Sequence, residues 1–314
     1  MNTRQAFTLV ELLTVIAIIS ILAAIITVAV TGVMHSTHVS RIGMEMSQIA
    51  MALDRYRAEI GEFPPDLFDD EALVRHVRKR WPRFTIPGND TASQAAFIRA
   101  AINTAYNAIP NIGVVPGRTE VNFSNLHQPQ IGALALWLGG FPNSDGIMSG
   151  FSADPQNPFF LAPPPYNTVL PADRNYDGKV FINLELGDNK KVRMFSVGNG
   201  AIVPVIGSEI RGVFVPIAYF RGSAVGGPGA YDPNVQRFIF PDFGLCIPYK
   251  ETEVRWYNPT TFQLIHPGLD GKFGSAGERI IRPNDPARNS GINLEDLDNI
   301  TNFSDNRELR GILP

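Results

Sequence analysis

Cysteine, proline, glycine and charge are each scarce in places where the scarcity is informative. Cys246 is the single cysteine among 314 residues, which excludes an intramolecular disulfide framework and any zinc site built from several thiolates. Set between Leu245 and Ile247, it reads as a small buried hydrophobe. None of the 25 prolines precedes Pro64, and of the 28 glycines only Gly32 and Gly43 precede Gly61. Both residue types interrupt helices, so their scarcity over the first sixty residues and abundance afterwards predict one long helix feeding a loop-rich domain. Between Gln5 and Ser40 the only formally charged side chain is Glu11. The whole chain carries a net charge of -3, without the basic excess that binding to phosphate backbones requires, so nucleic acid is not an expected partner. Catalytic signatures are missing as well. There is no HExxH and no G-x-S-x-G, and Gly271-Lys272 fails as a phosphate loop because His266 and Phe273 stand where Gly and Ser or Thr are needed. The histidines His35, His38, His76, His127 and His266 are dispersed. The expectation is a protein that is not an enzyme, with enough apolar content, 44% hydrophobic against 18% charged, to bury a core in one or two domains.

What is present begins at the amino terminus. MNTRQA carries Arg4 and no acid, and the apolar stretch Leu12 to Val30 is interrupted only by Thr14, Ser20 and Thr27. That length suffices to cross a hydrocarbon core, which takes about 20 helical residues. Arg4 on the short leader predicts a cytoplasmic amino end and a translocated remainder. Ile42, Met46, Ile49, Leu53, Tyr56 and Ile60 then recur at alternating steps of four and three, while Arg41, Glu45, Gln48, Asp54, Arg55 and Glu59 fall off that stripe. This half is therefore an amphipathic helix lying against something outside the membrane. Gly61, Pro64 and Pro65 supply the stop. His35 and His38, just beyond the span, suit an interfacial position better than a metal site.

Glu11 is costly at the head of a spanning segment, and a plain anchor gains nothing from it. The residues AFTLVELL around it resemble the prepilin motif of type IV pilins and type II secretion pseudopilins. The resemblance implies a prepilin peptidase that cuts between Ala6 and Phe7, with Ala6 where the family usually has Gly. It implies N-methylation of Phe7, and a Glu11 that neutralises the terminal amine of a neighbouring subunit in a homo-oligomeric filament. YRAEIGEFPP, from Tyr56 to Pro65, is similar to the helix exit of pseudopilins. An ordinary signal peptide or uncleaved anchor is the plainer alternative.

The expected fold class is α+β, pilin-like: a long amino-terminal helix followed by a globular domain with an antiparallel β-sheet. The expected layout is a leader over 1–6, and a long helix over 7–60 with a span over about 12–33 and an amphipathic part over 34–60. A variable helical and loop region over 61–170, which the resemblance does not cover, and a β-rich domain over 171–314 follow. Acids over Asp66 to Glu71 and bases at Arg75, Arg78, Lys79, Arg80 and Arg83, with His76 among them, read either as an anionic-lipid or nucleic-acid patch or, more simply, as a helix whose ends complement its dipole. Thr91 and Gln94 match a capping box for a helix to about Ala108. Ile131 to Leu138 reads as a short buried helix or strand. Val180, Ile182, Leu184 and Leu186 alternate before a Gly187-Asp188-Asn189 turn and a return over Val192 to Val197, which predicts a hairpin. Further strands are expected over Val213 to Phe220, Arg237 to Phe240, Val254 to Tyr257 and Phe262 to Ile265.

Two loops are candidate calcium sites. In DRNYDGKV, Asp173, Asn175 and Asp177 are spaced like the opening of an EF-hand-type loop, but Leu184 occupies the twelfth position where an acid is needed; a polar turn is the plainer reading. HPGLDGKFGSAGERI is similar to the glycine-rich carboxyl-terminal loop of major pseudopilins, and that resemblance implies calcium at Asp270 with Asp298 as a second donor. Taken together, the sequence predicts a pseudopilin of a type II secretion pseudopilus, in contact with prepilin peptidase, other pilin subunits and the assembly machinery. It would wait in the inner membrane as a single-pass protein with a periplasmic domain before entering a periplasmic or cell-surface filament. A type IV pilus or minor pilin subunit, and a membrane-tethered binding domain that never polymerises, are the rivals.

Overall fold

The structure, a computed structural model, describes residues 9–109, 120–123, 129–143, 145–159, 176–187, 190–198, 201–223, 229–233, 236–240, 242–274, 279–282, 289 and 291–312. Without glycine or proline to interrupt it until Gly61, the first element is one α-helix, α1, Leu9–Ile60, about 78 Å long at 1.5 Å per residue. Gly61 ends it as expected. Its φ of +86° lies in the left-handed region that glycine adopts without strain, and its N–H donates to Arg57 O at 2.7 Å.

Helix α2, Asp70–Arg80, starts where the Asp69 carboxylate accepts the N–H groups of Glu71 and Ala72, and it carries Asp70 and Glu71 in its first turn and Arg78, Lys79 and Arg80 in its last. The charges complement the helix dipole. His76 leaves the basic cluster and is buried. Helix α3, Thr91–Asn107, is capped by Asp90, whose Oδ1 accepts from Ser93 N at 2.8 Å. The expected Thr91–Gln94 box does not form, because the Gln94 amide donates to Gly88 O instead. Strand β1, Glu120–Val121, follows, then a 3-10 turn over Pro129–Gly132 and the short helix α4, Ala133–Gly139, which is buried throughout.

The expected hairpin is displaced by one step along the chain. Strand β2, Val192–Gly198, pairs antiparallel with β3, Ala201–Ile210, and meets 180–186 through an isolated parallel bridge between Leu186 and Val192. In the latter stretch Phe181 and Leu184 are buried, whereas Val180, Ile182 and Leu186 are half-buried. A spacing of three cannot put those side chains on one face of a strand. Strand β3 displaces it because nine of its ten residues are buried, as a central strand covered on both faces requires. It also pairs with β1 in parallel and, further along, with β4, Val213–Pro216.

The stretch expected as one strand over Val213 to Phe220 divides into β4 and β5, Ala218–Arg221. Strands β6, Phe238–Phe240, and β7, Gly244–Cys246, form a two-stranded ribbon. They are followed by β8, Tyr249–Thr252, β9, Arg255–Trp256, β10, Phe262–His266, β11, Arg279–Ile280, and β12, Ile300–Thr301. The order β12-β10-β5 is antiparallel, and β8 is flanked by β11 and β9. The architecture is α+β: a long amino-terminal apolar helix followed by a globular domain with antiparallel β-sheets. A single apolar core runs from Ile42 on α1 through Trp81, Trp137 and Phe151 to Leu309, and Cys246 lies in it as a free, fully buried thiol.

Candidate assembly and membrane-anchoring helix

Helix α1 has two halves with opposite surroundings. Up to Met34 the large apolar side chains whose burial is described, among them Leu9, Ile16, Leu22, Ile26 and Val33, are exposed, and the helix is long and apolar enough to cross a membrane. Hydroxyl groups in this stretch do not compromise it. Thr14, Ser20 and Thr27 each donate to the carbonyl four residues back, at 2.8 Å, which satisfies them within the helix where no water would. Glu11 sits on the exposed surface of this half. Ala6 and Phe7 lie outside the described residues.

From Ile42 onward the stripe read from the sequence is the docked face: Ile42, Met46, Ile49, Leu53 and Tyr56 are buried and Ile60 is half-buried. Burying each such side chain stabilises docking by about 1.5–3 kcal/mol. Polar groups at the edges of the stripe fix its rotation. Ser208 donates to Glu45 Oε2 at 2.5 Å, Asn306 Nδ2 to Ser47 Oγ at 2.8 Å, and Lys191 to Gln48 Oε1 at 3.2 Å. Gly43 is where the carboxyl-terminal segment crosses the helix, and a Cβ there would lie 2.9 Å from Asn306 O. His35 lies 3.0 Å from Glu308, so this histidine meets the same segment.

The far end of the docked half is fastened by a buried polar chain that the sequence did not reveal. Tyr56 OH lies 2.7 Å from His76 Nε2, His76 Nδ1 lies 2.9 Å from Glu62 Oε1, and Arg80 Nη1 donates to Tyr56 OH at 2.9 Å. Arg221, from β5, donates to Glu62 Oε2 at 3.0 Å. Burial pushes Tyr56 up to about 12 and drives His76 down to about 4 against the pull of Glu62. Burial raises Glu62, but the bonds and charges of His76 and Arg221 outweigh it and hold the carboxyl at about 2. At neutral pH the proton order follows: His76 Nδ1–H donates to an ionised Glu62, and Tyr56 O–H donates to the lone pair of Nε2. Tyr56 and His76 are fully buried, so the chain fastens α1 to α2, while Glu62 and Arg221 at its other end line a cavity of about 520 Å³.

Of the candidate calcium ligands, Asp270 and Asp298 are brought together. Asp298 Oδ2 accepts the N–H groups of Leu269 and Asp270 at 2.8 and 3.0 Å, while its Oδ1 is buried with no hydrogen-bond partner. Burial, with the charge of Asp270 added, raises Asp298 to about 6, and burial raises Asp270 also. Among the described residues no group of three or more His, Cys, Asp or Glu side chains is placed to hold a metal. Asp177 is occupied otherwise, its Oδ1 accepting from Phe151 N and Lys179 N. Asp173 and Asn175 lie outside the described residues.

Residues 1–27 match the prokaryotic N-terminal methylation motif. The motif supports a type IV pilin-like protein, and it implies processing by a prepilin peptidase and assembly with other pilin subunits. It covers residues 1–8 and most of the exposed span, and it suggests a structural subunit anchored near its amino terminus. No curated protein and no solved structure matches the chain.

Proposed function

We propose that the chain is a pseudopilin: a single-pass inner-membrane subunit with its amino end in the cytoplasm and its domain in the periplasm. Prepilin peptidase cuts it between Ala6 and Phe7, and it packs into a type II secretion pseudopilus through α1. The observation that carries this reading is the junction of the methylation motif to a helix that is uncovered and apolar up to Met34 and docked from Ile42. In the assembled filament Glu11 neutralises the amine of a neighbouring Phe7. Calcium, when bound, would lie at Asp270 and Asp298, whose buried unpartnered oxygen suits a hard cation, and would order the loop without taking part in any reaction. The insertion that carries α2, α3 and α4 between α1 and β2 favours a second reading, a minor subunit of a pilus. Intact-mass measurement is expected to find a chain beginning at N-methylated Phe7. Glu11→Ala is expected to leave membrane insertion intact and abolish filament assembly; a variant that assembles as well as the parent would remove the proposed role of Glu11.

A further inference from the structure

Two segments of the domain run down α1 toward its membrane-spanning half. Strand β3 passes Glu45, where Ser208 is bonded, and ends three residues later in the Arg211–Gly212 turn. The carboxyl-terminal segment passes Ser47 through Asn306 and reaches His35 through Glu308. Both finish at the same level, because a cavity of about 290 Å³ brings Arg211, Leu294, Glu308 and Arg310 around His35. His35 directly follows the exposed apolar pair Val33 and Met34. The headgroup layer is about 5–8 Å thick on each side of the hydrocarbon, and His35 is within about one helical turn of the end of the span. This face of the domain therefore lies at headgroup depth.

Its composition fits that depth. Leu294 is 81% exposed and Val213, on the far side of the turn, 56%; apolar side chains this open, beside exposed Arg211 and Arg310, are suited to a boundary that is apolar below and phosphate-rich above. Arginine meets phosphate with a bidentate fork. Three carboxylates, Asp270, Asp298 and Glu308, line the same cavity as the two arginines, and exposed Glu295 stands beside Leu294, so the face has no positive excess. The attraction is thus one of local hydrogen bonding and apolar contact, not of bulk charge.

We propose that the Arg211–Val213 turn, Leu294 and Arg310 form a docking face for phospholipid headgroups that seats the domain on the membrane before assembly. The proposal rests on the anchoring role given to α1, and the test separates the two. The full-length chain, whose own Cys246 is buried and free, is labelled with a fluorophore at Leu294→Cys, Ile21→Cys or Lys179→Cys. It is then placed in nanodiscs of phosphatidylethanolamine and phosphatidylglycerol containing lipids with a quencher near the headgroup. Lys179 sits beside Glu59, about 36 Å further along α1 than His35. Quenching at 294 several-fold stronger than at 179, reduced toward the level of 179 by R211E/R310E, supports the face. Equal weak quenching at 294 and 179, with strong quenching at 21 from lipids labelled along the acyl chain, overturns it and leaves the anchor standing. Unchanged quenching at 294 in R211E/R310E removes the arginines from it, and weak quenching at 21 overturns anchor and face together.

Discussion

Tyr56→Phe tests the buried chain that fastens α1 to α2. The substitution keeps the ring and its contact with Phe181, 4.6 Å between centroids, and deletes only the hydroxyl that meets His76 Nε2 at 2.7 Å and receives Arg80 at 2.9 Å. His76 is fully buried, so its lone pair is left without a donor. One lost hydrogen bond and one stranded acceptor amount to about 2–3 kcal/mol, or a fall in Tm of roughly 4–10 °C for a domain of this size. The pH dependence supplies an independent reading. Burial depresses folded His76 from 6.5 to about 4, so the unfolded chain takes up the proton first as pH falls. The stabilisation is complete above about pH 6.5 and is lost as pH falls toward about 4, by up to roughly 3 kcal/mol. Without the hydroxyl, Nε2 is free to hold a proton beside ionised Glu62, folded His76 moves up, and the acid-side loss becomes shallower. Asp298, raised to about 6 and partly open to water, contributes with the opposite sign, but equally in both proteins, so it cancels from the difference. The assay is thermal unfolding of the detergent-solubilised full-length chain by near-ultraviolet circular dichroism at pH 7.5, 6 and 5. A variant within about 0.5 kcal/mol of the parent at pH 7.5, with a parallel pH profile, would show that the chain carries no load.

Removing divalent cations with a chelator is expected to lower Tm of the parent, and Asp298→Asn to abolish that difference; equal melting with and without chelator in the parent would eliminate calcium at Asp270 and Asp298. Gly43→Ala inverts a propensity rule. Alanine in a helix interior is worth about 1 kcal/mol over glycine, yet a Cβ at 43 would press on Asn306 O at 2.9 Å. A net loss of about 1–2 kcal/mol is expected from the displaced segment, read in the same melt, and a stabilised variant would mean that the carboxyl-terminal segment does not pack there.

Helix α1 was legible because its signals are local. Helical steps of four and three, a glycine that takes positive φ, and an absence of breakers all lie within sixty residues. The strands were harder. AIVPVIGSEI was not among the expected strands, and Pro204 and Gly207 interrupt it, yet nine of these ten residues are buried in β3. The alternation at 180–186 pointed to a ladder that burial does not support. His76 disappeared into a run of bases, although its position three after Leu73 and next to Val77, both buried, was available to place it on the inner face. The partnership of Glu62 with Arg221 joins positions 159 residues apart, and no pattern in a single sequence reports such a contact. Asp270 and Asp298 were named from a resemblance, and their proximity became visible only in three dimensions.

The one-sided docking of α1 has a mechanical consequence. The domain grips the helix along its axis, from the His35–Glu308 pair at one end to the Tyr56–His76 contact at the other. Tension applied through the uncovered half runs parallel to the contact stripe. The buried side chains from Ile42 to Tyr56 are then loaded together in shear, whereas a force across the helix would open them one after another as in peeling. The same contacts resist far more in the first geometry than in the second. A subunit held by its stem and pulled lengthwise is thus loaded in its stronger direction, and the first attachment to feel that load is the short carboxyl-terminal segment folded over Gly43.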